Sequence, residues 1–424
     1  MAAMRLPSGL AVLQERDYRA VFSAQAVSLL GDGIVPVALA FAVLDLTGSA
    51  SDLGIVLAAR MASMVGCLLA GGVIADRTSR RAVMIAADVI RLLCQGLLGF
   101  LLVSGHARLW EVVASQVVLG GASGFFNPAS SGLIPMVVSP ARLQDANALR
   151  GVVVATGAIA GPAIAGILVV SVGSGEALLI DAASYALSAA LLARVRVDGR
   201  VTSPASGSFV GDLRRGWTEF RTRTWVWAFI AVISLTNALS AAFIVLGPLV
   251  AKLELGGAGA WAVILACRGV GALLGGVITL RIRPARPLLI ATLACEFAVA
   301  PTLLLAAHAP VATIAAAALL AGGGPMVLNV LWETTLQQHI PPVALSRVSA
   351  YDWFGSLALQ PFGMAIVGPI AAHLGVTTTL YLAGGLELAA LTGLLLIRDI
   401  RRIGPADTSH NPRPTRADIV TDRL

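Results

Sequence analysis

Apolar runs of about 20 residues succeed one another along almost the entire chain, broken only by short polar stretches. No other feature restricts the fold as much. A helix of roughly 20 apolar residues crosses the hydrocarbon core of a bilayer. A chain made mostly of such helices has too little polar surface to cover a water-soluble body. Of the 424 residues, 57% are apolar and 12% are charged, whereas a soluble domain carries about 25% charged residues. A soluble enzyme, a disordered scaffold and a coiled coil are excluded on that ground.

The pattern predicts an all-α membrane protein with twelve transmembrane helices, over about 19–44, 52–75, 82–104, 109–136, 146–171, 175–195, 225–250, 258–281, 287–307, 310–334, 350–372 and 376–397. The first run is too long for a cleaved leader, and Gln25 and Asp32 interrupt it. The longest polar stretch divides the chain into two six-helix halves, 1–195 and 225–400. The linker, 196–224, starts small and polar and turns basic and aromatic around Arg214, Arg215, Trp217 and Phe220. A plain linker carrying topology-setting charge is expected there ahead of a short helix on the membrane surface. Residues 401–424, rich in Pro, Thr, Asp and Arg, read as a disordered cytoplasmic tail.

The net charge is +7, and 29 of the 30 cations are arginine, Lys252 being the exception. With the N-terminus placed in the cytoplasm, 25 cations fall in interior segments and only Arg108 and Lys252 in exterior loops. Arg60, Arg91 and Arg268 lie within spans. This asymmetry puts both termini in the cytoplasm. It also accounts for the basic charge without a nucleic-acid partner. Cys67, Cys94, Cys267 and Cys295 sit in apolar runs without CxxC spacing, so neither a disulfide framework nor a zinc site is expected. The five histidines show no metal-ligand spacing. No GxSxG, HExxH or Walker loop is present, so an enzyme or an ATP-driven pump is not expected.

The halves repeat each other. Leu57-Ala-Ala-Arg60 and Gly71-Gly-Val-Ile74 are echoed by Leu265-Ala-Cys-Arg268 and Gly275-Gly-Val-Ile278, Ile134-Pro135 by Ile340-Pro341, and Gly161-Pro162 by Gly368-Pro369. Two parallel pseudo-symmetric halves are a transporter architecture, with a substrate site between them near mid-membrane.

The loop after the second span reads Gly72-Val-Ile-Ala-Asp76-Arg77-Thr-Ser-Arg80-Arg81. It resembles the signature loop of the major facilitator superfamily. An acid at a helix end can meet a partner helix's dipole or a cation in one state of a cycle and release it in the other, which suits a gate. Ser79 stands where that family prefers glycine, which puts the tight turn in doubt. In the second half Leu280 takes the place of Asp76, so an asymmetric gate is expected. The fifth span carries Gly157, Gly161, Pro162 and Gly166. This is a partial form of the family's exporter-associated Gly-Pro motif, lacking its asparagine and one glycine, and small residues at that spacing also serve close helix packing. Leu30-Gly31-Asp32, Asp88-x-x-Arg91, Asn127-Pro128-Ala129, Asp145-Ala146-Asn147 and Gln337-Gln338-His339 together are similar to the macrolide-efflux and enterobactin-exporter branch. The resemblance covers about residues 15–400. It implies the major facilitator fold, alternating access and export in exchange for protons.

Ionisable residues inside a span are costly and are functional candidates. Asp32, flanked by glycines with Pro36 one turn on, is the first candidate for a proton carrier; Asp88 and Glu296 are the others. A carboxyl group withdrawn from water favours its neutral form and a nearby cation reverses that preference, which can couple proton to substrate. An ion pair of Asp32 with Arg60 or Arg91 is the structural alternative. Asp88 and Arg91, three residues apart, suit a structural pair. Asp181, Glu333 and Asp352 read as structural or interfacial, and the resemblance, in which the ninth and twelfth helices are peripheral, implies packing or an entry path for Glu296 and Glu387. Arg60, Arg268, Gln25, Gln116, Asn127, Asn237, Asn329 and Gln360 are candidates for the cavity lining. Trp332, with Trp353, Phe354 and Phe243, is a candidate for its apolar wall. The expected protein is a monomeric secondary transporter of the cell's inner (plasma) membrane. It needs no cofactor or metal, draws on a proton gradient, and exports a drug-like or natural-product small molecule. An importer or a lipid- or siderophore-related carrier of the same fold is the alternative.

Overall fold

A computed structural model describes residues 12–139, 142–196, 222–340 and 342–404. Helix follows helix throughout the described residues. The first half contains α1 (Arg16–Asp32), α2 (Val35–Thr47), α3 (Ala50–Arg77), α4 (Arg80–Val103), α5 (Leu109–Val137), α6 (Leu143–Ser171) and α7 (Ser174–Leu192). The second contains α8 (Thr224–Leu239), α9 (Ala241–Glu254), α10 (Ala258–Arg281), α11 (Pro287–Glu296), α12 (Ala300–Ala306), α13 (Val311–His339), α14 (Pro342–Ala358), α15 (Gln360–Leu374), α16 (Val376–Leu394) and the short α17 (Arg398–Arg402). Among the described residues, eleven helical rods are long and apolar enough to cross a membrane. The last expected span is present as α16, 19 residues long. Four threonines and Glu387 make it less apolar than the rest.

Several expected spans are broken rods. α1 and α2 meet at Gly33 and Ile34, α8 and α9 at Ser240, and α14 and α15 at Leu359, while a 3-10 turn, Phe297–Val299, joins α11 to α12. Pro36, Pro301 and Pro361 lie just past three of the breaks. Proline lacks the amide donor and clashes with the carbonyl four residues earlier, so the ladder opens there. Such a break survives in hydrocarbon only where protein re-satisfies the backbone or a cavity is lined. At the first break Gly33 lies directly against Gly161 of α6, with no room for a side chain at either glycine. The Gly-Pro motif thus has a packing role: it brings α6 onto the joint between α1 and α2.

Among the described residues, the broad contact between the two halves lies toward one end of the bundle. A single apolar core there takes Leu39 and Leu44 from α2, Phe243 and Leu246 from α9, Trp261 from α10 and Met364 from α15. Gly54 of α3 abuts the Met364 carbonyl, Gly368 abuts the Ser51 backbone, and Gly166 abuts Ala262. The Lys252 ammonium donates to the Leu44 carbonyl at 2.7 Å and to Asp45 at 2.6 Å, tying α9 to α2. At the other end, near the chain termini, each half keeps its own core: one around Tyr18, Met84 and Leu133, the other around Phe229, Leu288 and Trp332. Among the described residues, the hydrogen bonds at this end also stay within a half. Asp17 accepts from the Arg196 amide at 3.0 Å, Tyr18 donates to the Ala146 carbonyl at 3.0 Å, and Arg223 donates to the His339 carbonyl at 2.9 Å. One end is sealed, and the other is parted around a cavity.

Gly161→Val should force α6 away from the Gly33 joint and cost about 1–3 kcal/mol, as overpacking does. A lower melting temperature in detergent is expected, while Gly66→Val, at a position with open space around it, should melt like the parent.

Candidate functional site

Two polar stripes face each other across α4 and α7. On α4, Asp88, Arg91 and Gln95 recur at the spacing of one helix face; on α7, Asp181, Ser184, Tyr185 and Ser188 do the same. Asp88, Gln95, Asp181 and Ser188 have no exposed surface. Ser188 donates to Asp88 Oδ2 at 2.6 Å, and Gln95 Nε2 donates to Asp181 Oδ2 at 2.9 Å. Arg91 stands 3.5 Å from Asp88. Its guanidinium also lies 4.5 Å from the Phe126 ring centre and 5.4 Å from that of Tyr185. A cation in hydrocarbon is stabilised by such an acid and such ring faces together.

Asp32 links these stripes to open space. It is the last residue of α1, beside the Gly33 joint. Its Oδ1 accepts from the Tyr185 hydroxyl at 2.7 Å and lies 3.9 Å from Arg60. Arg60 in turn donates to Gln116 Oε1 at 3.1 Å. On its other side Asp32 borders a cavity of about 580 Å³ between the halves. Leu29, Pro36, Leu265 and Met326 give that cavity apolar walls, and Arg268 and Asn329 add polar groups from the second half. A smaller cavity beside Asp32 is bordered by Gln25, Asn127, Arg91 and Arg150. Gln25 donates there to Ser130 at 2.7 Å.

The second half repeats part of the arrangement. Arg268 lies 5.3 Å from the centre of the Phe243 ring. It borders both the large cavity and a 120 Å³ pocket shared with Asn237 and Glu387. Asn237 donates to the Ser356 carbonyl at 2.9 Å. At offsets of 205 to 208 residues, Asp32 corresponds to Asn237, Arg60 to Arg268 and Asp181 to Glu387. The acid of the first helix is present in one half only.

A family model described as Major Facilitator Superfamily matches residues 21–358 of this chain. The chain belongs to that superfamily. It is similar to the multidrug efflux pump Tap of Mycolicibacterium fortuitum, 27% identical over 85% of this chain and 90% of that protein. It is similar as well to the enterobactin exporter EntS of Salmonella choleraesuis, 26% identical over 91% of this chain and 93% of that protein. Among solved structures, the nucleoside transporter NupG superposes with a TM-score of 0.73 at 11% identity, over 89% of this chain and 98% of that one. At that identity the likeness concerns the fold.

In this major facilitator transporter the signature loop follows α3 directly. α3 runs to Arg77, and the side chains of Gly72, Asp76 and Arg77 lie outside the described residues. Arg80 donates to the Gly132 carbonyl at 2.5 Å. Arg81 donates to the carbonyls of Leu192 and Ala193 at 2.9 and 2.5 Å, closing the C-terminal end of α7, where a cation complements the helix dipole. Ser79 raises no difficulty. Its φ of −71° is ordinary for any residue, and its hydroxyl accepts the Ala82 amide as the cap of α4.

Other candidates fall elsewhere. Trp332 is no cavity wall: it is buried, stacked on Phe229 with ring centres 3.9 Å apart, and donates to Asp352 at 3.0 Å. Trp353 and Phe354 are about half exposed. Glu296 accepts from Thr392 of α16 at 3.1 Å and borders neither cavity. Gln360 opens α15 at the break after Leu359. Gly157, which borders the large cavity with Pro162, abuts the Leu29 carbonyl.

Gln95, Tyr185 and Ser188 are residues a survey of charges passes over, and Asp181, which reads as structural or interfacial, is buried among them. A helical-wheel reading of α7 groups Asp181, Ser184, Tyr185 and Ser188, because four polar side chains on one face of an apolar helix must meet something polar. Arg91→Ala would leave Asp88 buried without its cation, a loss of about 3–5 kcal/mol for pairs of this type. A large fall in melting temperature is expected, partly restored by pairing it with Asp88→Asn.

Proposed function

We propose that this major facilitator transporter exports a drug-like or natural-product small molecule across the plasma membrane in exchange for protons. In this reading it has twelve spans, in halves 1–195 and 225–400 joined by the 196–224 linker, and both termini in the cytoplasm. The conformation described above then faces inward. Its sealed end is extracellular and its parted end admits substrate from the cytoplasm. The cavity, about 580 Å³, is of a size that holds a drug-sized molecule. Its apolar walls with one acid, one guanidinium and one amide suit an amphipathic substrate. The relatives' names, a multidrug efflux pump and an enterobactin exporter, favour the outward direction.

One observation carries the reading: Asp32 borders the substrate cavity on one side and is hydrogen-bonded into a buried polar network on the other. A carboxyl group so placed can exchange its proton for a substrate's charge, since whatever lowers the cost of one state raises that of the other. Arg60 stands 3.9 Å from the same carboxyl group. Asp76, on the signature loop, serves in this reading as the latch of the opposite, outward-facing state.

Asp32→Asn should abolish pH-driven uptake of ethidium or erythromycin into inverted vesicles, which is export in the cell, while leaving the protein folded. Efflux that still tracks the pH gradient would remove Asp32 from coupling. Alternating access further requires the Lys252–Asp45 tie to open. Lys252→Glu should raise external labelling of a cysteine placed at Ala365, in the sealed core; unchanged labelling would leave the tie no part in sealing.

A further inference from the structure

Two broken helices of the second half open onto one small pocket. α8 and α9 break at Ser240, and the turn Phe297–Val299 joins α11 to α12. Asn237 and Ser240 at the first break, with Cys295 and Thr302 at the second, border the pocket of about 120 Å³. A break frees backbone carbonyls, and in hydrocarbon it lasts where it lines a cavity. Discontinuous helices are also where transporters hold the charged groups of their substrates. The first half lacks the second of these breaks: α4, in the place of α11 and α12, is one continuous helix.

The same pocket is bordered by a cation and an acid, Arg268 of α10 and Glu387 of α16. Glu387 is only 5% exposed. Gly384 brings it there: that glycine abuts Leu303 of α12 with no room for a side chain, and Glu387, three residues on, lies on the same face of α16. Among the described residues, neither the guanidinium nor the carboxyl group makes a hydrogen bond, and neither has an opposite charge within ion-pair distance. The Phe243 ring, 5.3 Å from the guanidinium, supplies no acceptor atom. Two opposite charges held apart in one pocket within hydrocarbon are costly unless something bridges them.

We propose that this pocket receives the head group of a zwitterionic substrate, its carboxylate on Arg268 and its ammonium on Glu387, while the rest of the molecule lies in the large cavity. The proposal rests on the reading of that cavity as the substrate site and names the substrate class. Arg268 and Pro325 border both spaces, so they adjoin. A volume of 120 Å³ is that of about four water molecules, and an α-amino-acid head group fills a like space. A guanidinium holds a carboxylate through two parallel hydrogen bonds, and a carboxylate accepts from an ammonium. Recognition at Arg268 and Glu387 and proton exchange at Asp32 then fall to different halves.

Three fluorescent probes that share a dansyl group and differ in charge test this on the full chain in nanodiscs. Nε-dansyl-lysine carries both charges, dansylcadaverine the ammonium alone and dansylaminohexanoate the carboxylate alone. Dansyl-lysine should bind about tenfold more tightly than either, or better, since one charged hydrogen-bonded contact is worth that factor. Equal affinities would overturn the proposal, with water alone between Arg268 and Glu387, and would leave the cavity as a substrate site. Binding of none of the three would remove the cavity reading and this proposal together. The titrations are repeated in Asp32→Asn, where Asp32 cannot hold the ammonium; a lead of dansyl-lysine lost there would put the ammonium on Asp32 and overturn the role of Glu387. Arg268→Gln should bring dansyl-lysine down to the level of dansylcadaverine, and Glu387→Gln should bring it down to that of dansylaminohexanoate. A packing role would instead weaken all three probes alike, and that result would overturn the proposal. If a single variant leaves one charge stranded and does not fold, Arg268→Gln combined with Glu387→Gln removes both; a preference for dansyl-lysine kept by that double variant would overturn the proposal as well.

Discussion

Hydrocarbon offers no hydrogen-bond partner, and this one absence organises the whole molecule. It obliges the backbone to be helical. It confines every break in a helix to a place where another part of the protein stands close, as Gly161 stands against Gly33. It turns the polar face of each span toward another polar face. The stripes of α4 and α7 meet because neither could face lipid, and Arg91 has an acid and two rings around it for the same reason.

The same constraint shapes how the two halves meet and where they part. Where the halves join, side chains are apolar and backbones touch through glycine, so contact is broad, with the Lys252–Asp45 tie at its margin. Where they part, each half closes on itself through its own core and its own hydrogen bonds. The cavity lies between the halves where they part, and polar groups of both, Asp32 from one and Arg268 from the other, border it.

Much of this is legible in the sequence, for physical reasons. Spans are read from apolar runs because length and hydropathy are what a bilayer selects. The repeat is read because Arg60 and Arg268 recur in matching surroundings. Asp32 stands out because a lone acid in an apolar run is expensive. The rest is less visible. Asp181 sits a third of the way along α7, where its residue number suggests the interface; its burial comes from α1 and α4 packed over it. Trp332 has the composition of a cavity wall, but the stacked Phe229 and the acceptor Asp352 claim it for a core. Glu296 reads as mid-span, and Thr392 on the neighbouring α16 takes it up. Ser79 reads as a defect in a glycine turn and proves to be a helix cap.

The sequence by itself determined the medium, the helical class, the two-fold internal repeat and the short register of charges that hydrocarbon would have to hold, because each depends on local composition and on charge per span. Only the tertiary structure decided which charges meet. The Tyr185 hydroxyl on Asp32, Arg60 beside the same carboxylate, and the Ser188 hydroxyl on Asp88 all arise from residues far apart in the chain brought within a few ångströms. Electrostatic energy depends on that distance, and distance is what a linear order of residues does not hold.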